Sequence, residues 1–78
     1  MIRKQVGLRI RQIRNDRKLS QEKAAFNAGI DRTYWASVEL GRRNISIINL
    51  EKMCVSFGIS LEEFFNSDIF KGEKETEL

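Results

Sequence analysis

The chain has 78 residues, of which 41% are hydrophobic and 32% charged, and a net charge of +3, a composition typical of one small globular domain. It has no histidine and a single cysteine, Cys54, so we expect no enzyme activity, no cofactor, no metal site and no internal disulfide. There is no long apolar run and no signal peptide, which predicts a cytoplasmic protein with no membrane partner and no evident small-molecule ligand.

The first predicted helix carries one apolar stripe. Proline is absent and the apolar spacing is helical nearly throughout, which predicts an all-α fold. The stripe comprises Ile2, Val6, Ile10 and Ile13, whereas Leu8 falls on the opposite face and is expected to be exposed. The helix is expected to stop around residues 16–18, where the apolar periodicity ends.

Two short helices joined by a tight turn follow. Ser20 is a good N-cap for the second helix, and Gly29 is a natural left-handed C-cap. Asp31 is in turn a good N-cap for a third helix, in which Trp35 and Val38 face the core. This pattern predicts a helix-turn-helix, although a generic pair of helices also fits it.

Two further helices complete the expected domain. Ser46 caps the fourth helix and Gly58 ends it, while Ser60 and Glu63 form a capping box at the start of a short fifth helix. The inner face of the fourth helix comprises Leu50, Met53, Cys54 and Phe57. The domain is expected to span residues 1–66, with residues 67–78 as a short, frayed extension.

The charges are sorted along the chain. Residues 1–43 contain eleven basic and four acidic side chains, a net charge of +7, whereas residues 44–78 contain three basic and seven acidic ones, a net charge of −4. The first half therefore suits a polyanion such as nucleic acid. In the alternative reading, these basic residues belong to ordinary solvated helix faces.

The outer face of the third helix is short and polar. A helical wheel places Arg32, Thr33, Ala36 and Ser37 on this face, with Tyr34 at its flank. Small side chains at its centre allow close approach to a large surface, and the major groove of DNA is a surface that admits a helix.

The segment LSQEKAAFNAGIDRTYWASVELGRRN (residues 19–44) resembles the lambdoid-repressor-like helix-turn-helix family, which includes the Cro and repressor proteins of phages. The matching residues are Ser20-Gln21-Glu22 at the start of the second helix, Gly29 in the turn, and Glu39-x-Gly41 at the end of the third helix. SFGISLEEFF at 56–65 resembles the family's junction between helices four and five. Within the family, DRTYWASVELGRRN is most similar to the controller proteins of restriction–modification systems. The resemblance implies a five-helix lambda-repressor-like DNA-binding domain.

The resemblance also implies two sets of DNA contacts. The expected base-reading residues are Arg32, Thr33, Tyr34, Ser37 and Arg43. The expected phosphate-binding residues, most of them at helix starts where N–H groups and the helix dipole attract anions, are Gln21, Arg42, Asn44 and Ser46. Each contact has an alternative. Arg32 could instead pair with Asp31 or another neighbour, Tyr34 could pack on the stem of Arg43 instead of touching DNA, and Ser37 could be a small residue with no contact.

A structural ion pair is a further implication of the resemblance. In the family, an arginine at the position of Arg14 pairs with a glutamate at the position of Glu39. Glu39 falls near the core side of the third helix, where an unpaired carboxylate would be costly. Loss of either partner is expected to destabilise the fold before it changes base reading.

Helices four and five carry more apolar residues than one core face can absorb. The expected dimer interface comprises Ile48, Val55, Ile59, Phe65 and Ile69. A symmetric homodimer would place two recognition helices about 34 Å apart, one turn of DNA. In the alternative, Ile69 and Phe70 fold back over the core of their own monomer.

The sequence thus predicts a sequence-specific transcriptional regulator that binds an inverted repeat as a homodimer. Its expected partners are double-stranded DNA and a second copy of the chain, with RNA polymerase as a further candidate. An antitoxin of a toxin–antitoxin pair is an alternative within the same fold, and a helical interaction module with no DNA role is a third reading.

Overall fold

The computed structural model describes residues 1–71, and within that range it contains five α-helices and a short 3₁₀ turn. The helices are α1 (Ile2–Asp16), α2 (Gln21–Ala28), α3 (Arg32–Glu39), α4 (Ile47–Phe57) and α5 (Leu61–Phe65), and the 3₁₀ turn covers Asp68–Phe70. The predicted five-helix, all-α architecture is confirmed. No helix in the described part of the chain is long and apolar enough to cross a membrane.

Side-chain caps begin four of the helices. Ser20, Asp31, Ser46 and Ser60 each accept a hydrogen bond from the backbone N–H three residues later, at 3.0–3.2 Å. At the end of α2, Gly29 adopts φ 67°, a left-handed conformation that a Cβ atom disfavours. The cap and the glycine together limit the turn between α2 and α3 to residues 29–31, as predicted.

The core lies between all five helices. Its largest fully buried side chains include Trp35 and Phe64, and the Trp35 ring meets the Phe57 ring edge-on, with centroids 5.8 Å apart. The complete core consists of Val6, Ile10, Ile13, Ala24, Ala25, Trp35, Val38, Leu50, Met53, Cys54, Phe57 and Phe64. The predicted inner faces of α3 and α4 are therefore confirmed, as is the exposure of Leu8.

The predicted apolar stripe of α1 is buried except at its first position. Ile2 is 58% exposed, whereas Val6, Ile10 and Ile13 are buried. Ile2 is the first residue of α1 and lies beyond the edge of the core, so its place on the correct face does not bury it. Periodicity identifies the apolar face of a helix, but it does not show which part of that face the other helices cover.

A glycine lets α1 and α3 approach closely. A Cβ atom on Gly7 would lie 2.4 Å from the carbonyl oxygen of Val38 and 2.7 Å from that of Glu39. The backbone of α1 therefore lies directly against the last turn of α3. Arg14, two turns after Gly7 on a similar side of α1, reaches the carboxylate of Glu39.

The chain folds back after α5. The ring of Phe70 lies 6.0 Å from that of Phe64 and 4.9 Å from that of Phe65, between centroids. The side-chain amide of Gln5 donates a hydrogen bond to the carbonyl oxygen of Ile69 at 3.0 Å, which ties the 3₁₀ turn to α1. This matches the fold-back alternative.

The predicted domain boundary at residue 66 therefore falls short of the packed structure. Residues 68–70 form an ordered turn against α1 because apolar side chains in this segment are covered by their own monomer. The remainder of the predicted extension, residues 72–78, lies outside the described residues.

Candidate DNA-binding surface

The leading end of α3 is open on its outer face. Arg32 and Thr33 are exposed, while Ala36 and Ser37 further along are half-buried. Within residues 1–71, Arg32 forms no ion pair, and Asp31 accepts the backbone N–H of Tyr34 at 3.2 Å. The guanidinium of Arg32 therefore stays available to a ligand, and it has the paired donors that match guanine O6 and N7.

Three of the predicted base-reading residues form one cluster. The guanidinium carbon of Arg43 lies 4.9 Å from the centre of the Tyr34 ring, within the range of a cation–π contact. Arg43 Nε donates to Ser37 Oγ at 3.2 Å, and Ser37 Oγ donates to the carbonyl oxygen of Tyr34 at 2.8 Å. The structure thus brings Tyr34, Ser37 and Arg43 together, with the guanidinium of Arg43 on the Tyr34 ring, where the alternative places the Arg43 stem.

The predicted phosphate-binding residues occupy two places. Arg42, Asn44 and Ser46 are exposed in the segment that leads from α3 into α4, beside Arg43. Ser46 Oγ is occupied as the N-cap of α4. These residues can meet a phosphate backbone next to the face of α3.

Gln21 at the start of α2 turns its side chain inward, which sequence reasoning missed. Its Nε2 donates to Glu39 Oε1 at 3.0 Å, and the residue is half-buried. Within the described residues, the backbone N–H groups of Gln21 and Glu22 precede the one that Ser20 caps and have no protein acceptor. The start of α2 therefore retains two donors for an anion although the Gln21 amide is engaged.

Glu39 is the buried charged residue of the described chain, with 4% of its surface exposed. Its Oε2 accepts Arg14 Nε at 2.6 Å and Trp35 Nε1 at 2.7 Å. Its Oε1 accepts Arg14 Nη2 at 3.0 Å and Gln21 Nε2 at 3.0 Å, and Arg11 Nε lies 3.5 Å away. One carboxylate thus joins α1, the start of α2 and the end of α3.

The surroundings of Glu39 keep its carboxyl group ionised. Burial raises its pKa, but hydrogen bonds from Arg14, Gln21 and Trp35 and the charge of Arg14 outweigh that effect, so the pKa is lowered from its ordinary value of 4.5. The Trp35 contact also escaped sequence reasoning. Its signal was present, because residues 35 and 39 are four apart and therefore neighbours on one helix.

Part of the predicted dimer surface is open. Ile48 and Val55 on α4 are 66% and 70% exposed, and Phe65 is 41% exposed. Ile59 packs against the core of its own monomer, and Ile69 is half-buried in the folded-back 3₁₀ turn. Of the five predicted interface residues, these two are therefore partly covered by their own chain.

The fold and this surface define a DNA-binding domain of the helix-turn-helix class. The family profile described as "Helix-turn-helix" matches residues 10–64. The chain is also 46% identical to control protein C.MunI of a Mycoplasma species over 66 residues. This alignment covers 83% of this chain and 88% of that protein.

Solved structures of two controller proteins illustrate the similarity. The restriction–modification controller protein C.AhdI from Aeromonas hydrophila is 40% identical, with a TM-score of 0.78, over 81% of this chain and 96% of that chain. Controller protein C.Esp1396I, solved as a tetramer with its natural 35-base-pair operator, is 30% identical, with a TM-score of 0.82, over 91% of this chain and 92% of that chain. The chain belongs to the helix-turn-helix family and, within it, to the control proteins of restriction–modification systems.

Proposed function

We propose that this protein is a sequence-specific transcription regulator of a restriction–modification system and binds an inverted-repeat operator as a homodimer. The observation that carries the proposal is the open polar face of α3, where Arg32 and Thr33 are exposed beside the Arg43 cluster. The similarity to controller proteins, one of them solved on its operator, supports it. No comparable observation favours the antitoxin alternative.

Base reading follows from what α3 presents to a major groove. Arg32 donates to guanine O6 and N7, and Thr33 offers its methyl group to thymine or its hydroxyl to a phosphate. Arg43 supplies a second guanidinium, held by Tyr34 and Ser37. These contacts provide the sequence preference.

Phosphate contacts position α3 in the groove. The N–H groups at the start of α2, including that of Gln21, point to one stretch of backbone, and Arg42, Asn44 and Ser46 meet another. Neutralised phosphates release counterions, so binding weakens steeply as salt rises. Placed near a promoter, the bound protein blocks or assists RNA polymerase.

A homodimer formed through α4 and α5 presents two copies of the DNA-binding surface. Ile48, Val55 and Phe65 supply the exposed apolar face, which a two-fold related copy covers with the same residues. The two α3 helices then enter successive major grooves about 34 Å apart. Within the described residues, the acidic part of the chain after Ser46 contributes this face and makes none of the proposed phosphate contacts.

The test of DNA recognition is selection from random DNA followed by gel-shift titration. We expect an inverted repeat, and a preference for it that falls by about 1–3 kcal/mol in Arg32→Ala. Arg42→Ala should weaken binding to all DNA alike and reduce the salt slope by about one. Lys71→Ala is the matched control, because Lys71 is exposed in the acidic half, and it should change neither. Salt-independent binding, or no preferred site, would contradict the proposal.

The test of the dimer is sedimentation of Val55→Asp. A charge on this 70% exposed residue should leave the monomer fold intact, dissociate the dimer and weaken operator binding. Leu8→Asp places the same charge on an exposed apolar residue of α1 and should leave the dimer unchanged. Equal association in both variants would place the interface elsewhere.

A further inference from the structure

A line of contacts joins the start of α4 to Arg43. Ser46 Oγ accepts the backbone N–H of Asn49 at 3.1 Å, which holds Asn49 in the first turn of α4. Asn49 Nδ2 donates to the hydroxyl oxygen of Tyr34 at 3.2 Å. The guanidinium of Arg43 lies over the same Tyr34 ring at 4.9 Å. Asn49 is therefore connected to a predicted base-reading arginine through one aromatic side chain.

These contacts hold the Tyr34 ring at both ends. Its backbone belongs to α3, and its hydroxyl is anchored on the half-buried Asn49. The hydrogen bond fixes the direction in which the Tyr34 side chain leaves α3, because a change of its χ1 angle would carry the hydroxyl away from Asn49. The ring on which Arg43 stacks therefore keeps its place. A hydroxyl that faces α4 is also turned toward the protein.

The guanidinium of Arg43 is held on one side and open on the other. Ser37 Oγ accepts from its Nε at 3.2 Å. Within residues 1–71, its Nη1 and Nη2 donate to no protein acceptor. A guanidinium oriented before binding loses less side-chain freedom when it donates to a base edge.

We infer that Asn49 is a positioning residue for base recognition, which acts through the Tyr34 hydroxyl to hold Arg43 toward a guanine edge of the operator. The inference rests on the proposed function and refines it. Tyr34 and Ser37 become supports of Arg43, and Asn49, outside α3 and its following loop, becomes a determinant of specificity. The alternative explanation is that Asn49 has only a structural role and that its side chain fills the space between α3 and α4.

The experiment measures operator affinity for every single-base-pair variant of the selected site. Arg43→Ala first identifies the pair that Arg43 reads, as the pair at which preference is lost. Asn49→Leu, which has a similar volume and no amide, should reduce preference at that pair alone, on the order of threefold to tenfold for one neutral hydrogen bond. The double variant should show the same preferences as Arg43→Ala.

Two further variants keep the test decisive. Asn15→Leu makes the same change at an exposed position of α1 and should leave every preference unchanged. Tyr34→Phe removes the hydroxyl and keeps the ring, so it should reproduce the effect of Asn49→Leu. If urea unfolding shows that Asn49→Leu is too unstable to assay, Tyr34→Phe is measured in its place.

Several results would overturn the inference alone while the wild type still selects its site. In the first, Arg43→Ala loses preference at no base pair. In the second, Asn49→Leu weakens binding to all variants of the site equally, or to none. In the third, Tyr34→Phe loses preference at a base pair that Arg43→Ala still reads. A wild-type protein with no base-pair preference would instead overturn the proposed function.

Discussion

Replacing Glu39 with glutamine tests whether one ionised carboxylate holds α3 in place. Glutamine keeps the shape of the side chain but has one acceptor oxygen, and its NH₂ group must take the place of the other. Each oxygen of Glu39 accepts two hydrogen bonds, so the NH₂ group would face either Arg14 and Trp35 or Arg14 and Gln21 as donors. Two contacts are lost if the NH₂ group faces Arg14 and Trp35. At least the one with Arg14 is lost if it faces Arg14 and Gln21, because the Gln21 amide can turn to accept.

The cost is dominated by Arg14. Its side chain is 13% exposed, so without Glu39 its charge remains largely buried and lacks its bidentate partner. Removing one member of a buried pair costs about 3–5 kcal/mol, and because glutamine is easier to bury than a carboxylate we expect the lower end, about 3 kcal/mol. A domain of this length is stable by roughly 4–12 kcal/mol, so this loss is a large share of the total.

The assay is urea unfolding at pH 7, followed by circular dichroism and by the fluorescence of Trp35, the single tryptophan of the chain. Glu51→Gln is the matched control, because Glu51 is exposed on α4, and it should change the free energy of unfolding by less than about 0.5 kcal/mol. Equal shifts for Glu39→Gln and Glu51→Gln would refute the reasoning.

The other predictions concern acid, packing and thiol chemistry. Because the pKa of Glu39 is lowered below 4.5 in the folded state, its stabilisation is present above that pH and is lost as the pH falls through the folded pKa; urea midpoints should fall more steeply in acid for the wild type than for Glu39→Gln. Gly7→Ala places a Cβ 2.4 Å from a carbonyl oxygen and should cost about 2–3 kcal/mol in thermal unfolding, whereas Gly29→Ala, with φ 67° and open space, should cost only about 1 kcal/mol. Burial raises the pKa of Cys54 to about 11, so a thiol reagent at pH 8 should label it only as the protein unfolds.

The sequence by itself determined the helices and much of their inner faces. A cap such as Ser20 or Asp31 bonds to a backbone group three residues later, and Gly29 adopts its conformation without any distant partner. These are interactions between near neighbours in the chain, so their outcome can be read without knowing the fold. The burial of Trp35 and Val38 also follows from helical periodicity, because α3 has only one apolar side.

Sequence and tertiary structure each determined a part of the candidate site. The exposure of Thr33 follows from its position opposite Trp35 on the helix, about 160° away, whereas Arg32 lies only about 60° from Trp35 and its exposure at the first position of α3 is seen in the structure. The inward turn of Gln21 could not be predicted, because Gln21 and Glu39 are 18 residues apart and meet only through the angle between α2 and α3. The wheel could not show that Arg43 lies over Tyr34.

Apart from the Arg14–Glu39 pair, which the resemblance implied, only the tertiary structure decided the partners of these polar side chains and the limits of the covered surface. Asn49 meets Tyr34 across 15 residues, and Phe70 returns to cover Phe64. A polar side chain bonds to whichever donor or acceptor the packed helices bring within about 3 Å. Such a distance depends on crossing angles and on close approaches such as the one at Gly7, which arise from the whole core at once.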